Sequence, residues 1–307
     1  MKNLRQTFAD LVLEIGKNDE SLVVIVGDIS HGILQPFAKE FPDRYFNIGI
    51  CEPATVNIAA GVSKVGLKPV IHTIAPFLTE RAFEQIKLDF GYQDLPVNII
   101  SVGGSFDYAK LGCSHHCYTD VSLFAHLAKS QIFLPGSSEE FSDIFKATYA
   151  DNAINYYRLT ENPHNHLFPH PIAPGKGIKV IDGDDLTIVA LGSKLNEAKQ
   201  ASQILKEKHS VSCEVIYYNT FKPFDSALVQ ESVAKTKRFI TIEELSSHGG
   251  LFGQCLTSLT EIHFSKCKQM AVNDFIKGYG THEELTKRAK LDVHSLVENS
   301  QQLLEIN

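Results

Sequence analysis

The chain has 307 residues, a net charge of −7 and an ordinary globular composition, with 43% of residues hydrophobic. That length accommodates about two domains, and the acidic balance excludes the basic face that nucleic-acid binding requires. No apolar run reaches the ~18 residues of a membrane span, and six cysteines without regular pairing distances point to a reducing cytoplasm rather than a disulfide scaffold.

Residues 1–10 read as part of an amphipathic helix with both charge signs, not a signal peptide. The helix covers 4–15, with Leu4, Phe8, Leu11, Val12 and Ile15 on one face. Residues 22–26 form a continuous β-branched run, the pattern of a parallel strand buried on both faces. Gly27, Asp28, Ile29, Ser30, His31 and Gly32 follow at its carboxyl end, where α/β folds place ligand groups. A helix around 34–41 leads to 45–50, an apolar run expected to be a short buried strand.

Next, Glu52 opens an apolar helix of small residues. Pro53 fits its first turn, where a missing N–H costs nothing, and a carboxylate suits the positive end of the helix dipole. Ala54, Ile58, Ala59, Gly61 and Val62 have helical spacing, so a close packing partner is expected. On these residues alone, Glu52 reads as a plain helix-start carboxylate as readily as a functional group.

Residues 68–72 are a strand and 77–90 a helix, with Phe77, Arg81, Gln85 and Leu88 roughly on one face. A strand at 97–102 ends in Gly103-Gly104-Ser105, and 111–118 is a polar loop. Helices at 120–128 and 138–150 alternate with strands at 131–134 and 154–159. This alternation specifies an α/β parallel sheet. Residues 161–177, with four prolines and three histidines, break the pattern. A second α/β unit follows: strands at 186–191, 211–217 and 239–242, helices at 195–206 and 225–234, and a helix from Gly250 to about 262. Closing helices cover 281–289, with a Thr281–Glu284 capping box, and 293–304. The expected architecture is α/β with two mostly parallel sheets flanked by helices: domains at 1–165 and 183–307, and a linker at 166–182.

Several residues carry chemistry. Cys113, His115, His116 and Cys117 are zinc-ligand types, but their spacing and the lack of a second pair favour a single catalytic or substrate-facing histidine. Gly103-Gly104 and Gly249-Gly250 complete neither a dinucleotide fingerprint nor a Walker loop. Arg158, at a strand end, and Arg5, on the first helix, each read as a surface arginine paired with a carboxylate such as Glu161, unless a ligand claims them.

Together these residues resemble one family. Gly49-Ile50-Cys51-Glu52 resembles the Gly-Ile-X-Glu of the pyrimidine-binding domain of transketolases. Residues 73–77 resemble its aromatic segment, Gly112-Cys113-Ser114-His115-His116 its Gly-Pro-Thr-His-Gln loop, and Tyr157-Arg158-Leu159 its strand-end arginine. Ala190-Leu191-Gly192-Ser193, Phe221-Lys222-Pro223-Phe224-Asp225, Glu243-Glu244 with Gly249-Gly250, and Gly278-Tyr279-Gly280-Thr281 resemble its C-terminal domain.

The resemblance implies thiamine diphosphate and Mg²⁺ as cofactors. Glu52 would bond a pyrimidine nitrogen and activate the cofactor, Phe77 would stack on the ring, and Ile50 would belong to the same seat. His115 would serve substrate hydroxyls or proton transfer, and Asp28 would also meet substrate. Arg158, and more weakly Arg5, match positions that hold a sugar phosphate, a task suited to a guanidinium fork.

The resemblance covers half of a transketolase. The Gly-Asp-Gly…Asn metal motif is not matched, Asp182-Gly183-Asp184 being the nearest string. This implies the C-terminal subunit of a two-chain transketolase. An N-terminal transketolase subunit would carry the diphosphate and metal half, in a heterotetramer built on a homodimer of this chain. Leu111 stands where the family has a hydroxyl-reading Asp, Gly103 where it has a His, and Ile74 where it has an aromatic. These departures point to an unusual sugar pair. Two rival readings are the β subunit of a 2-oxo acid dehydrogenase E1 component and a non-catalytic scaffold subunit.

Overall fold

The computed structural model describes residues 3–306. Met1 and Lys2, at the head of the expected N-terminal helix, and Asn307 lie outside the described residues. The first half runs α1 (Leu4–Gly16), β1 (Leu22–Val26), α2 (His31–Glu40), β2 (Tyr45–Asn47), α3 (Glu52–Lys64), β3 (Lys68–Ile74), α4 (Ala75–Thr79) and α5 (Phe83–Gln85). A π-helical stretch (Ile86–Tyr92) follows, then β4 (Val97–Val102), α6 (Asp120–Ala125), β5 (Ser130–Phe133), α7 (Ser138–Thr148) and β6 (Ile154–Leu159). The second half runs β7 (Ile178–Ile181), β8 (Leu186–Leu191), α8 (Leu195–His209), β9 (Cys213–Tyr218), β10 (Thr220–Lys222), α9 (Ser226–Thr236) and β11 (Arg238–Ser246). It closes with α10 (Leu251–Ser258), β12 (Lys266–Val272), α11 (His282–Arg288) and α12 (Val293–Leu304).

These elements form two sheets, in the orders β10-β5-β6-β4-β3-β1-β2 and β12-β11-β8-β9-β7. All pairings are parallel except β10 with β5 and β7 with β9. The inner strands β1, β4, β6, β8 and β9 are buried along their whole length, as expected where helices cover both faces.

Four expectations need correction. The strand before Glu52 is three residues long and mostly exposed, because β2 is the sheet edge with β1 as its one neighbour. The expected small-residue stripe does not pack inside this chain. α3 buries Thr55, Val56, Ala59, Ala60 and Ser63, while Ile58 is 42% exposed. The expected helix at 77–90 is broken. The Glu80 and Arg81 N–H groups both donate to the Pro76 carbonyl, which closes α4 and leaves Arg81 outside it. Finally, the end of the expected linker is strand β7, the antiparallel edge of the second sheet.

Candidate functional site

The site is built from loops at the carboxyl ends of the first sheet's strands, the position where open α/β sheets bind ligands. Glu52 is the first residue of α3 and only 2% exposed. Its Oε2 accepts from Arg81 Nη1 at 3.0 Å. The Arg81 guanidinium carbon lies 4.4 Å from the centre of the Phe77 ring. This is a cation–π geometry, made possible by the break after α4. Arg81 therefore bonds the carboxylate and covers the aromatic face at once.

Phe77 in turn meets His115 edge-on, with ring centres 5.1 Å apart. Gly112 sets the His115 loop: its φ is +78°, and a Cβ there would sit 2.6 Å from the Tyr279 ring. His115 Nδ1 lies 3.0 Å from the Ser114 hydroxyl, and its ring is 6.4 Å from that of Tyr108. The Tyr108 hydroxyl donates to Glu161, and burial together with the Glu161 charge pushes its pKa up to about 12. Glu161 faces Arg5, with Oε1 3.7 Å from Nη1.

From Arg5 the contacts pass inward. Arg5 Nη2 donates to Ser30 Oγ at 2.8 Å, and Ser30 Oγ lies 2.8 Å from Nε2 of the fully buried His72. His72 Nδ1 is 2.9 Å from the Ile100 carbonyl. A carbonyl only accepts, so Nδ1 carries the proton and Nε2 accepts from Ser30. Burial, reinforced by the Arg5 charge, lowers the His72 pKa to about 4. Glu52, Arg81, Phe77, His115, Tyr108, Glu161, Arg5, Ser30 and His72 thus form one continuous line of contacts.

The other expected site residues stand apart from this line. Arg158 is 7% exposed. Its Nε lies 3.2 Å from Asp120 Oδ2, and its Nη2 donates to the Cys117 carbonyl. Burial works against its charge, but Asp120 holds its pKa above the ordinary value. Gly104 lies flat against it, since a Cβ there would come 2.0 Å from Arg158 Nε. Asp28 accepts from Asn47 Nδ2 at 3.1 Å and lies 3.8 Å from His31, while Ile50 is 75% exposed. The Cys113–Cys117 loop does not converge. Cys117 Sγ faces Thr79 and Glu80, and His116 Nδ1 meets the Tyr118 hydroxyl. The Gly249-Gly250 turn packs on Glu243, whose carboxylate accepts from the N–H groups of Leu251 and Phe252 at the start of α10.

Sequence reasoning missed Arg81, Tyr108, Ser30 and His72 as site residues. Arg81 had a signal, the spacing of four from Phe77 that puts guanidinium and ring side by side. Tyr108 and His72 had none, because tertiary contacts bring them in.

The residues fit the aminopyrimidine half of thiamine diphosphate. A buried carboxylate stands beside an aromatic face, and the planar, N–H-donating Arg81 guanidinium already makes both contacts such a ring would make. They do not fit the metal half, because among the described residues no group of three or more His, Cys, Asp or Glu side chains could hold an ion.

The family model for the transketolase pyrimidine-binding domain matches residues 1–162, and that for the transketolase C-terminal domain matches 175–296. One of the two chains of the apulose-4-phosphate transketolase of Actinobacillus succinogenes is 30% identical over 307 residues, covering 97% of each chain. The 1-deoxy-D-xylulose-5-phosphate synthase of Clostridium perfringens is 32% identical over 96% of this chain, which spans 48% of that enzyme. A solved structure described as a split-gene transketolase, an inactive β4 tetramer, superposes with a TM-score of 0.89 at 30% identity, covering 99% of this chain and 98% of that one.

Proposed function

The chain belongs to the transketolase family, and on that premise we propose that it is the C-terminal subunit of a two-chain, thiamine diphosphate-dependent transferase that moves a two-carbon ketol unit from a ketose to an aldose. The observation that carries this reading is the buried Glu52 carboxylate beside the Phe77 face, both met by one planar group.

When bound, thiamine diphosphate supplies a carbanion-forming carbon and an electron sink. Glu52 holds a proton at the pyrimidine nitrogen in a site whose burial strengthens hydrogen bonds. Phe77 offers its face to the ring, and Ile50 forms the rim. His115, edge-on to Phe77, hydrogen-bonds substrate hydroxyls or relays a proton. Asp28, Ser30 and Arg5 take the far end of the sugar. Arg158, saturated by Asp120, acts by positioning the strand end.

The chain spans 48% of the Clostridium perfringens synthase it resembles, which supports a partner subunit that brings Mg²⁺ and the diphosphate site. Exposed Ile50, Ile58 and Tyr92, the last 86% exposed, offer apolar surface for subunit contacts. We assign the assembly as a heterotetramer on a homodimer core. The cysteines are free thiols, as suits a reducing, cytoplasmic setting. No helix of the described residues is long and apolar enough to cross a membrane.

Calorimetric titration of thiamine diphosphate with Mg²⁺ tests this, into the chain alone and into its mixture with the subunit encoded beside it. Binding only in the mixture supports the two-chain site, and tight binding by this chain alone overturns it. The likeness to 1-deoxy-D-xylulose-5-phosphate synthase favours a second reading, transfer of a deoxy unit. The turnover screen therefore pairs hydroxylated and deoxy donors.

A further inference from the structure

We infer that Glu161 closes the Arg5 cavity to phosphate, so that the sugar end reaching it is an unphosphorylated polyol. This rests on the transferase reading above. The cavity, about 520 Å³, is lined by Arg5, Ser30, His31, Thr160 and Glu161 among others. Arg5 is its strong cation, and Arg5 is already matched: Nη1 faces Glu161 at 3.7 Å, and Nη2 is given to Ser30. Glu161 is itself held in place by the Tyr108 hydroxyl. His31 lies 3.8 Å from the Asp28 carboxylate, so its side chain is matched as well.

The second arginine expected at a sugar phosphate cannot add charge here, because Arg158 is buried against Asp120. The first turn of α2 lines the same cavity and would draw an anion. The Glu161 carboxylate opposes it. A phosphate dianion entering would stand beside a like charge, an arrangement that costs affinity. The hydroxyls of a neutral sugar instead find both donors and acceptors, in Ser30, Thr160, Arg5 and Glu161.

The test compares binding of a pentose 5-phosphate with that of the free pentose, by titration of the full chain and of its complex. In the native protein the phosphorylated sugar should bind no tighter than the free one. Glu161→Gln should leave the free pentose unchanged and raise affinity for the phosphorylated one by about tenfold, and adding Arg5→Ala should remove that gain. Tighter binding of the phosphorylated sugar by the native protein, or an unchanged ratio in Glu161→Gln and Glu161→Ala, would overturn the inference. The readout needs no turnover, so failure of the cofactor test at Glu52 is a separate result.

Discussion

Arg81 Nη1 lies 3.0 Å from Glu52 Oε2 while its guanidinium carbon sits 4.4 Å over the Phe77 ring. One side chain holds the two groups assigned to the cofactor. Arg81 is half exposed, whereas Glu52 is not, so the arginine can swing out and the carboxylate stays. Its ion pair and ring contact are each worth about 0.5–1 kcal/mol when one partner faces water. Arg81→Ala should therefore tighten thiamine diphosphate binding to the complex roughly two- to fivefold. Calorimetry checks it, and weaker binding would mean that Arg81 holds the ring rather than yielding to it.

Glu52→Gln keeps the shape of the side chain and an oxygen for Arg81 but cannot hold a transferable proton. Turnover of the reconstituted complex should fall by about 10²–10⁴-fold, the scale of a lost acid–base group, with cofactor affinity changed less than tenfold. Unchanged turnover would favour the scaffold reading.

The two halves are joined by a buried latch. His164 Nε2 lies 2.6 Å from Glu140 Oε1, and the Tyr217 hydroxyl and Gly136 N–H donate to Oε2 at 2.8 and 3.1 Å. Glu140, His164 and Tyr217 come from α7, the inter-domain segment and β9, and all are almost fully buried. Tyr217→Phe should cost about 1–3 kcal/mol, the penalty for stripping a buried carboxylate of a donor. Thermal denaturation reads it, and no change in the midpoint would mean that the other donors satisfy Glu140.

The legible parts of this fold were the local ones. β-branched runs announced β1, β4 and β8, Pro53 announced the start of α3, and the Thr281–Glu284 capping box is formed as expected, both bonds present. What stayed hidden was tertiary. β10 is three residues of the second half that pair with β5 of the first sheet, and no local pattern signals such a crossing. β12, Lys-Cys-Lys-Gln-Met-Ala-Val, is a partly exposed edge strand whose polar residues blur the period. His164 lay in a stretch read as linker because its partners come from distant elements. Arg158 looked free because Asp120, on another element, is silent in sequence. Glu52 and His115 were legible through a family pattern, whereas the Arg5–Glu161 match needed the loops placed.

His72 makes the stability of this site pH-dependent, with a sign that can be worked out. It is fully buried and neutral, with a pKa of about 4 against 6.5 in an unfolded chain, burial being the first cause. Between those values the unfolded state binds the proton that the folded state refuses, so stability rises with pH across the window and is lost as pH falls from about 6.5 to 4. The full effect is up to about 3 kcal/mol, an order-of-magnitude figure. Glu243 works in the opposite sense over part of the range, since burial pushes its carboxyl up to about 7. The clean measurement is therefore a difference: denaturant midpoints of the native chain and His72→Gln from pH 7.5 down to 4. The variant should be less stable near neutrality, because a buried Ser30 partner is lost, yet show a shallower decline in acid. Parallel profiles would mean that His72 takes up its proton without leaving the folded state.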